Sequence, residues 1–203
     1  MPLHFPHAKP PAAGEKIEVA AGVFWLRMPL PFQLDHINLW LLRDAGGWTI
    51  VDTGFATDGV RAVWREVLAG LDGPVRRLIV THFHPDHLGL ATWLVNETGA
   101  ELWMTSGEFL TAHAVWNEFG GHGARFMVDQ FRQHGLDGER LARFEKRGSG
   151  YRMAVPGLPD YHHRLKAGDA VAVDGRKWQV LIGHGHSPEH MALYCAELGV
   201  LIS

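Results

Sequence analysis

The chain has 203 residues, 46% of them hydrophobic and 20% charged, with a formal net charge of -3. That length suits one domain or slightly more, with enough apolar content for a sizeable core. No basic surplus exists to track a phosphate backbone, which excludes nucleic acid as a main partner, and the single cysteine, Cys195, excludes an internal disulfide.

The opening stretch "MPLHFPHAKPPAAGEK" lacks the apolar core of an export signal, and no apolar run is long enough to span a bilayer. The expectation is a cytoplasmic protein with no membrane partner, whose His4 and His7 are solvated. "EVAAGVFWLRM" and "HINLWLLRD" each predict a strand from their large apolar and β-branched residues. "AGG" turns the chain into "WTIVDTG". Apolar residues at helical spacing then predict an amphipathic helix over 57–71, stopped by "DGP". "VRRLIVT" is a buried strand, "LGLATWLVNETG" a helix closed by Gly99, and "AELWMT" a short strand.

Residues 106–147 show glycine-broken helical patterns with no strand among them, and predict a helical insertion. "SGYRMAVPGLPDYHH" is loop-like. In "DAVAVDGRKWQVLIGHG" the Asp174–Gly175 pair predicts a tight hairpin, and "HMALYCAELGVLIS" predicts a second hairpin around "ELG". Cys195 lies in that apolar run and is expected to be a small buried side chain rather than a catalytic thiol. Strands with intervening helices, followed by further strands, predict an α/β sandwich.

"THFHPDH", residues 81–87, follows the buried strand "VRRLIVT" with His82, His84, Asp86 and His87 inside six positions. In extended chain, residues two apart point the same way, so His82 and His84 converge on one point. Pro85 bends the chain, and Asp86 and His87 open the next helix facing a second point nearby. Imidazoles and a carboxylate suit zinc and similar borderline metals. Burying four such groups unpaired costs about 1–3 kcal/mol each, so a metal explains them better than packing does. "GHGHSPEH", residues 183–190, offers His184, His186 and His190 at another strand end.

These motifs resemble the metallo-β-lactamase-fold superfamily. Its H-x-H-x-D-H motif stands here as His82, His84, Asp86 and His87, its later G-H-[ST] motif as Gly185, His186 and Ser187, and an earlier strand-end motif as Asp52, Thr53 and Gly54. The resemblance implies an αββα sandwich. It also implies that His82, His84 and His186 ligate a first metal and that Asp86 and His87 ligate a second. Asp52 would hold a ligand imidazole in place; His190 would do the same or be plainly structural. His184 falls outside the motif. Glu189, where many relatives carry glycine, would narrow or charge the site mouth.

The implied cofactor is zinc, one or two ions in a dinuclear type of site, with iron or manganese as other candidates. The implied activity is hydrolysis of a small-molecule ester, thioester or lactone by a metal-bound hydroxide, with Asp86 as catalytic residue both ligating and orienting. Relatives of this pattern include thioesterases similar to glyoxalase II, and lactonases. The alternatives are a mononuclear-iron oxygenase of the same fold and an inactive metal-binding fragment.

Two further expectations concern the rest of the chain. The block 106–147 is expected over the site mouth, with Phe109, Trp116, Phe119 and Phe126 lining an apolar pocket and Arg125 or Arg132 meeting a substrate carboxylate. "LGVLIS" is expected to be a buried strand that ends a domain spanning 1–203. In relatives a bridging aspartate and a later histidine follow such a strand. The expectation is therefore a C-terminally truncated domain, with an incomplete second half and an exposed last strand that permits a homodimer.

Overall fold

The computed structural model describes residues 2, 4–7, 9–147 and 150–203. Eleven strands among them form two sheets. The larger sheet follows chain order through β1 (Lys16–Ala20), β2 (Val23–Pro29), β3 (His36–Asp44), β4 (Gly47–Val51), β5 (Val75–Ile79), β6 (Glu101–Thr105) and β7 (His163–Leu165). Its first four strands meander antiparallel, and β4 to β7 run parallel. The smaller sheet is antiparallel, in the order β11 (Val200–Ile202), β10 (His190–Cys195), β9 (Arg176–Gly183), β8 (Ala170–Val173).

Parallel strands need crossovers, and helices supply them. α1 (Asp58–Ala69) joins β4 to β5. Thr57 caps it by accepting from Val60 N, and its Val60, Trp64 and Val67 are buried at helical spacing. The one-turn α2 (Pro85–Leu88) and α3 (Ala91–Thr98) join β5 to β6. Between β6 and β7 stand α4 (Ser106–Trp116), a short 3-10 turn at 120–122, α5 (Ala124–Gln133), α6 (Gly138–Arg147) and α7 (Tyr151–Ala154).

Two cores result. One lies between the helices and the outer face of the large sheet, with Leu39, Ile50 and Leu78 meeting Trp64, Leu94, Ala112 and Tyr151. The other draws its buried residues from strands alone: Val51, Ile79 and Leu165 of the large sheet against Val173, Trp178, Met191 and Cys195 of the small one. Cys195 is free and buried, as its apolar setting predicts. Among the described residues no helix is long and apolar enough to cross a membrane.

The structure corrects the sequence reading in two places. The run 18–28 is two strands, because Gly22, at φ 75°, reverses the chain between β1 and β2. Of the stretch read as loop-like, Ser149 lies outside the described residues, and 150–163 contains α7, whose Tyr151 and Ala154 are buried, Tyr151 in the helix-side core, and leads into β7. The Asp174–Gly175 hairpin stands as expected: Val173 pairs with Arg176, and both turn residues have positive φ, at 51° and 74°.

Candidate metal centre

The residues singled out by motif all gather beyond the carboxyl ends of strands, where ligands of open α/β sheets bind. Asp52 follows β4, His82 to His87 follow β5, and His186 follows β9. Backbone hydrogen bonds join these segments: Met191 N, on the small sheet, donates to Thr81 O at 3.0 Å, and Thr53 N, beyond β4, donates to His87 O, beyond β5, at 2.8 Å. Thr53 Oγ1 also donates to His87 O at 2.7 Å and accepts from Leu90 N at 3.0 Å, so the Asp52 and His87 loops are stitched together. Gly89 is needed there. A Cβ on it would lie 2.8 Å from Gly54 O and 3.0 Å from Ala154 O.

Three ring nitrogens form a triangle. His82 Nε2, His84 Nδ1 and His186 Nε2 lie 3.1 Å from one another on every edge. A ring nitrogen either carries a proton and donates or carries a lone pair and accepts. Of three such atoms, two must be alike, so at least one edge sets two lone pairs or two N–H groups against each other. A single cation removes the conflict. All three nitrogens can lie about 2.0–2.1 Å from one ion, the usual Zn–N distance, with a coordination position left open. The triad could hold a metal ion.

Beside the triangle, Asp86 and His87 make a second group. His87 Nδ1 meets Asp52 Oδ2 at 2.8 Å, which turns its Nε2 toward Asp86 Oδ2 at 3.4 Å. The His87 ring lies 4.0 Å from that of His82, centroid to centroid. Asp52 is buried and sits at φ 63°, a left-handed conformation that aspartate tolerates better than most residues. Its carboxylate also accepts from Thr81 N at 2.7 Å and from Thr81 Oγ1, which in turn contacts His82 Nδ1 at 2.9 Å. One carboxylate therefore orients His87 directly and His82 through Thr81. His190, at the start of β10, places its ring 4.8 Å from that of His82 and 5.6 Å from that of His186. His184 stands apart, with Nδ1 on Pro188 O at 2.7 Å.

Sequence reasoning missed Glu108. It is fully buried in the first turn of α4. Its Oε2 accepts from Phe83 N at 2.9 Å, and its Oε1 accepts from Ser187 Oγ and Glu189 N, both at 2.6 Å. One carboxylate thus clamps the His82–His84 loop to the His186 loop. The visible signal is "TSGE", the spacing of a capping box, which points only to a helix start; Thr105 does accept from Glu108 N, but the Glu108 carboxylate turns away to the two loops instead of back to Thr105 N.

Two expectations about the site mouth are overturned. Glu189 does not face it: its carboxylate accepts from Gly107 N at 2.7 Å, where the unpaired amides of α4 offer a better partner than open water. Nor do the named residues of 106–147 line the cavity beside Asp86. Phe109 stacks on His162, Trp116 donates to Val155 O, and Phe119 and Phe126 face solvent. Arg132 is paired with Asp129 and Glu145, and with Arg125 it lines a separate hollow between α5 and α6.

The electrostatics split the rings. Burial, then the neighbouring imidazoles, pushes His82 far below its usual range; burial first also lowers His84 and His190. Burial works against charge on His87 too, but the Asp52 and Asp86 carboxylates outweigh it and raise that ring to about 10. Asp86 is held below the usual carboxylate range: burial opposes this, and the hydrogen bond and charge of His87 prevail.

In the metal-free protein these shifts act in opposite directions. The three lowered rings contribute stability above the unfolded value of about 6.5 and lose it as pH falls further. His87 contributes below about 6.5 and loses it as pH rises toward 10. Thermal unfolding of chelator-treated protein should therefore peak near neutrality, with a steeper fall on the acid side. A midpoint that climbs steadily from pH 7 to 5 would contradict this.

A family model described as "Metallo-beta-lactamase superfamily" matches residues 33–203. A beta-lactamase domain protein from Burkholderia ambifaria superposes with TM-score 0.85 at 45% identity, over 97% of this chain and 57% of that one. A metallo-beta-lactamase family protein from Thermus thermophilus gives 0.76 at 31% identity, over 91% and 59%. A curated protein, "Beta-lactamase-like protein 2 homolog" of Caenorhabditis elegans, is 23% identical over 191 residues, 93% of this chain and 50% of that protein. The chain thus spans about half the length of this curated relative and somewhat more than half of the two solved chains.

Proposed function

This chain belongs to the metallo-beta-lactamase superfamily, and from that premise we propose that it carries the metal site of a hydrolase acting on a small ester, thioester or lactone. The observation that carries the reading is the nitrogen triangle of His82, His84 and His186, which no arrangement of protons satisfies. An all-nitrogen set suits zinc, with iron or manganese as the other candidates. Asp86 and His87 offer the start of a second site, which makes the centre dinuclear in type.

A divalent ion bound there supplies Lewis acidity and lowers the pKa of water toward neutrality. The residues do the rest. His82, His84 and His186 hold the ion by neutral nitrogens, the form that burial already favours at His82 and His84. Asp52 keeps His87 Nδ1 protonated, so that its Nε2 faces the Asp86 side. Asp86, half-buried at the edge of a cavity and held ionised, would accept a hydrogen bond from the attacking water and so orient it. Water oxygen adds to the carbonyl carbon, the bond from that carbon to oxygen or sulfur breaks, and the alcohol or thiol leaves with a proton.

The test is metal analysis joined to a panel of thioesters, esters, lactones, phosphodiesters and RNA, with oxygen uptake followed in parallel. Metal-dependent cleavage of the carbonyl substrates is expected. Cleavage of phosphodiesters or RNA alone, or oxygen uptake by iron-loaded protein without ester turnover, would overturn the proposal.

A further inference from the structure

A cavity of about 360 Å³ opens directly beside Asp86. Pro85 and Asp86 contribute one side of it. Phe32, from the β2–β3 loop, and Phe55, just after the Asp52 loop, contribute another, with their rings edge to face at 5.1 Å. The third comes from α7, through Tyr151, Met153 and Ala154. Among the described residues that line it, Asp86 is the one charged side chain.

The cavity is tied to the histidine loop. Tyr151 Oη donates to Phe83 O at 2.6 Å, between the two first histidines of the triangle. Ala154 O packs close to Gly89, 3.0 Å from where a Cβ on that glycine would stand. A wall anchored this way holds its distance from Asp86. The rim is apolar and open: Phe32 is 53% exposed and Met153 77%. Single exposed apolar side chains are ordinary. Two of them on opposite rims of an apolar hollow that ends at a candidate catalytic carboxylate point to a ligand that covers them. The volume is at the lower end of the range for small-molecule sites, about 300–1,000 Å³, so it fits a short chain or a single ring rather than a polymer.

We propose that this cavity binds an uncharged apolar group of the substrate, carried next to the scissile carbonyl, and so selects medium-chain or aryl acyl compounds over acetyl or anionic ones. The assignment rests on the hydrolase reading above. It goes beyond that reading by naming the substrate class and the residues that choose it: Phe32, Phe55 and Met153. A carboxylate carried on the acyl chain would have to give up its water against the phenylalanine and methionine side chains that line the cavity.

The experiment uses metal-loaded protein and the N-acetylcysteamine thioesters of acetic, butanoic, hexanoic and succinic acids. kcat/KM should rise about fourfold for each methylene buried, until the cavity is full. Succinyl should fall well below hexanoyl. Met153→Asp and Phe32→Ala should each lower the hexanoyl-to-acetyl ratio by about tenfold or more while bound metal stays the same. A second readout needs no turnover: ligand-observed NMR of 2-octanone with metal-free protein should show saturation transfer that Met153→Asp abolishes. Turnover that ignores chain length, or 2-octanone binding that survives both substitutions, overturns the cavity assignment and leaves the hydrolase reading standing. No turnover of these thioesters or of the ester and lactone panel, with 2-octanone binding that still depends on Met153, overturns the hydrolase reading and leaves an apolar-ligand site.

Discussion

His186→Ala should strip the protein of most of its tightly bound metal, from about one ion per chain or more to a small fraction of that, while His184→Ala should leave the content unchanged. The two histidines are two residues apart in "HGHS", so composition alone does not separate them. Their surroundings do. His186 Nε2 closes the triangle with His82 and His84 at 3.1 Å on both edges. His184 donates through Nδ1 to Pro188 O and belongs to its own loop. Losing His186 leaves two imidazoles on one strand end, and a two-ligand site binds far more weakly than a three-ligand one. Losing His184 removes one exposed hydrogen bond, an effect of about 0.5–1.5 kcal/mol on stability. Elemental analysis after gel filtration through chelated buffer reads both outcomes. Retention of metal by His186→Ala, with loss from His184→Ala, would mean that the loop takes a different register in solution.

What the sequence made legible follows from distance along the chain. His82, His84, Asp86 and His87 are close in sequence and sit on a strand end, so local geometry already brings them together. The Asp174–Gly175 turn and the α1 pattern are local in the same sense. His186 lies 102 residues beyond His84, and only the match of a second motif joined them. Asp52 was expected to hold an imidazole of the motif; that its carboxylate meets His87 Nδ1 needed the fold. α7 was not legible: a four-residue helix in a stretch bounded by Gly150 and Pro156 carries no helical period, and its burial comes from tertiary packing. The aromatics of 106–147 misled for the opposite reason. Phe109 and Trp116 pack inward and Phe119 and Phe126 face water, and a list of aromatic positions does not distinguish these fates from a pocket.

Glu108 is the residue where fold and site meet, and replacing it should damage both. It accepts from donors 25, 79 and 81 residues away in sequence. Glu108→Ala leaves Phe83 N, Ser187 Oγ and Glu189 N without their acceptor at a site closed to solvent. Each orphaned buried donor costs about 1–3 kcal/mol, so a loss of several kcal/mol in stability is expected. Glu108→Gln is the sharper variant. Its amide oxygen can still accept from Ser187 and Glu189, which keeps the His186 loop attached. Its NH2 then faces Phe83 N, a donor against a donor, and the His82–His84 loop is released. The charge matters as well, because the Glu108 carboxylate favours positive charge at His84 and His190, and so favours a cation in the triangle. Glu108→Gln should therefore fold, melt at an intermediate temperature, and bind metal about 10–100-fold more weakly, the usual range for partners that orient metal ligands. Cobalt-loaded protein gives the site-specific readout: the visible absorption of the bound ion should change in Glu108→Gln and stay as in the wild type in His184→Ala. Wild-type melting, metal affinity and cobalt spectrum in both Glu108 variants would show that the two loops hold their places without the clamp.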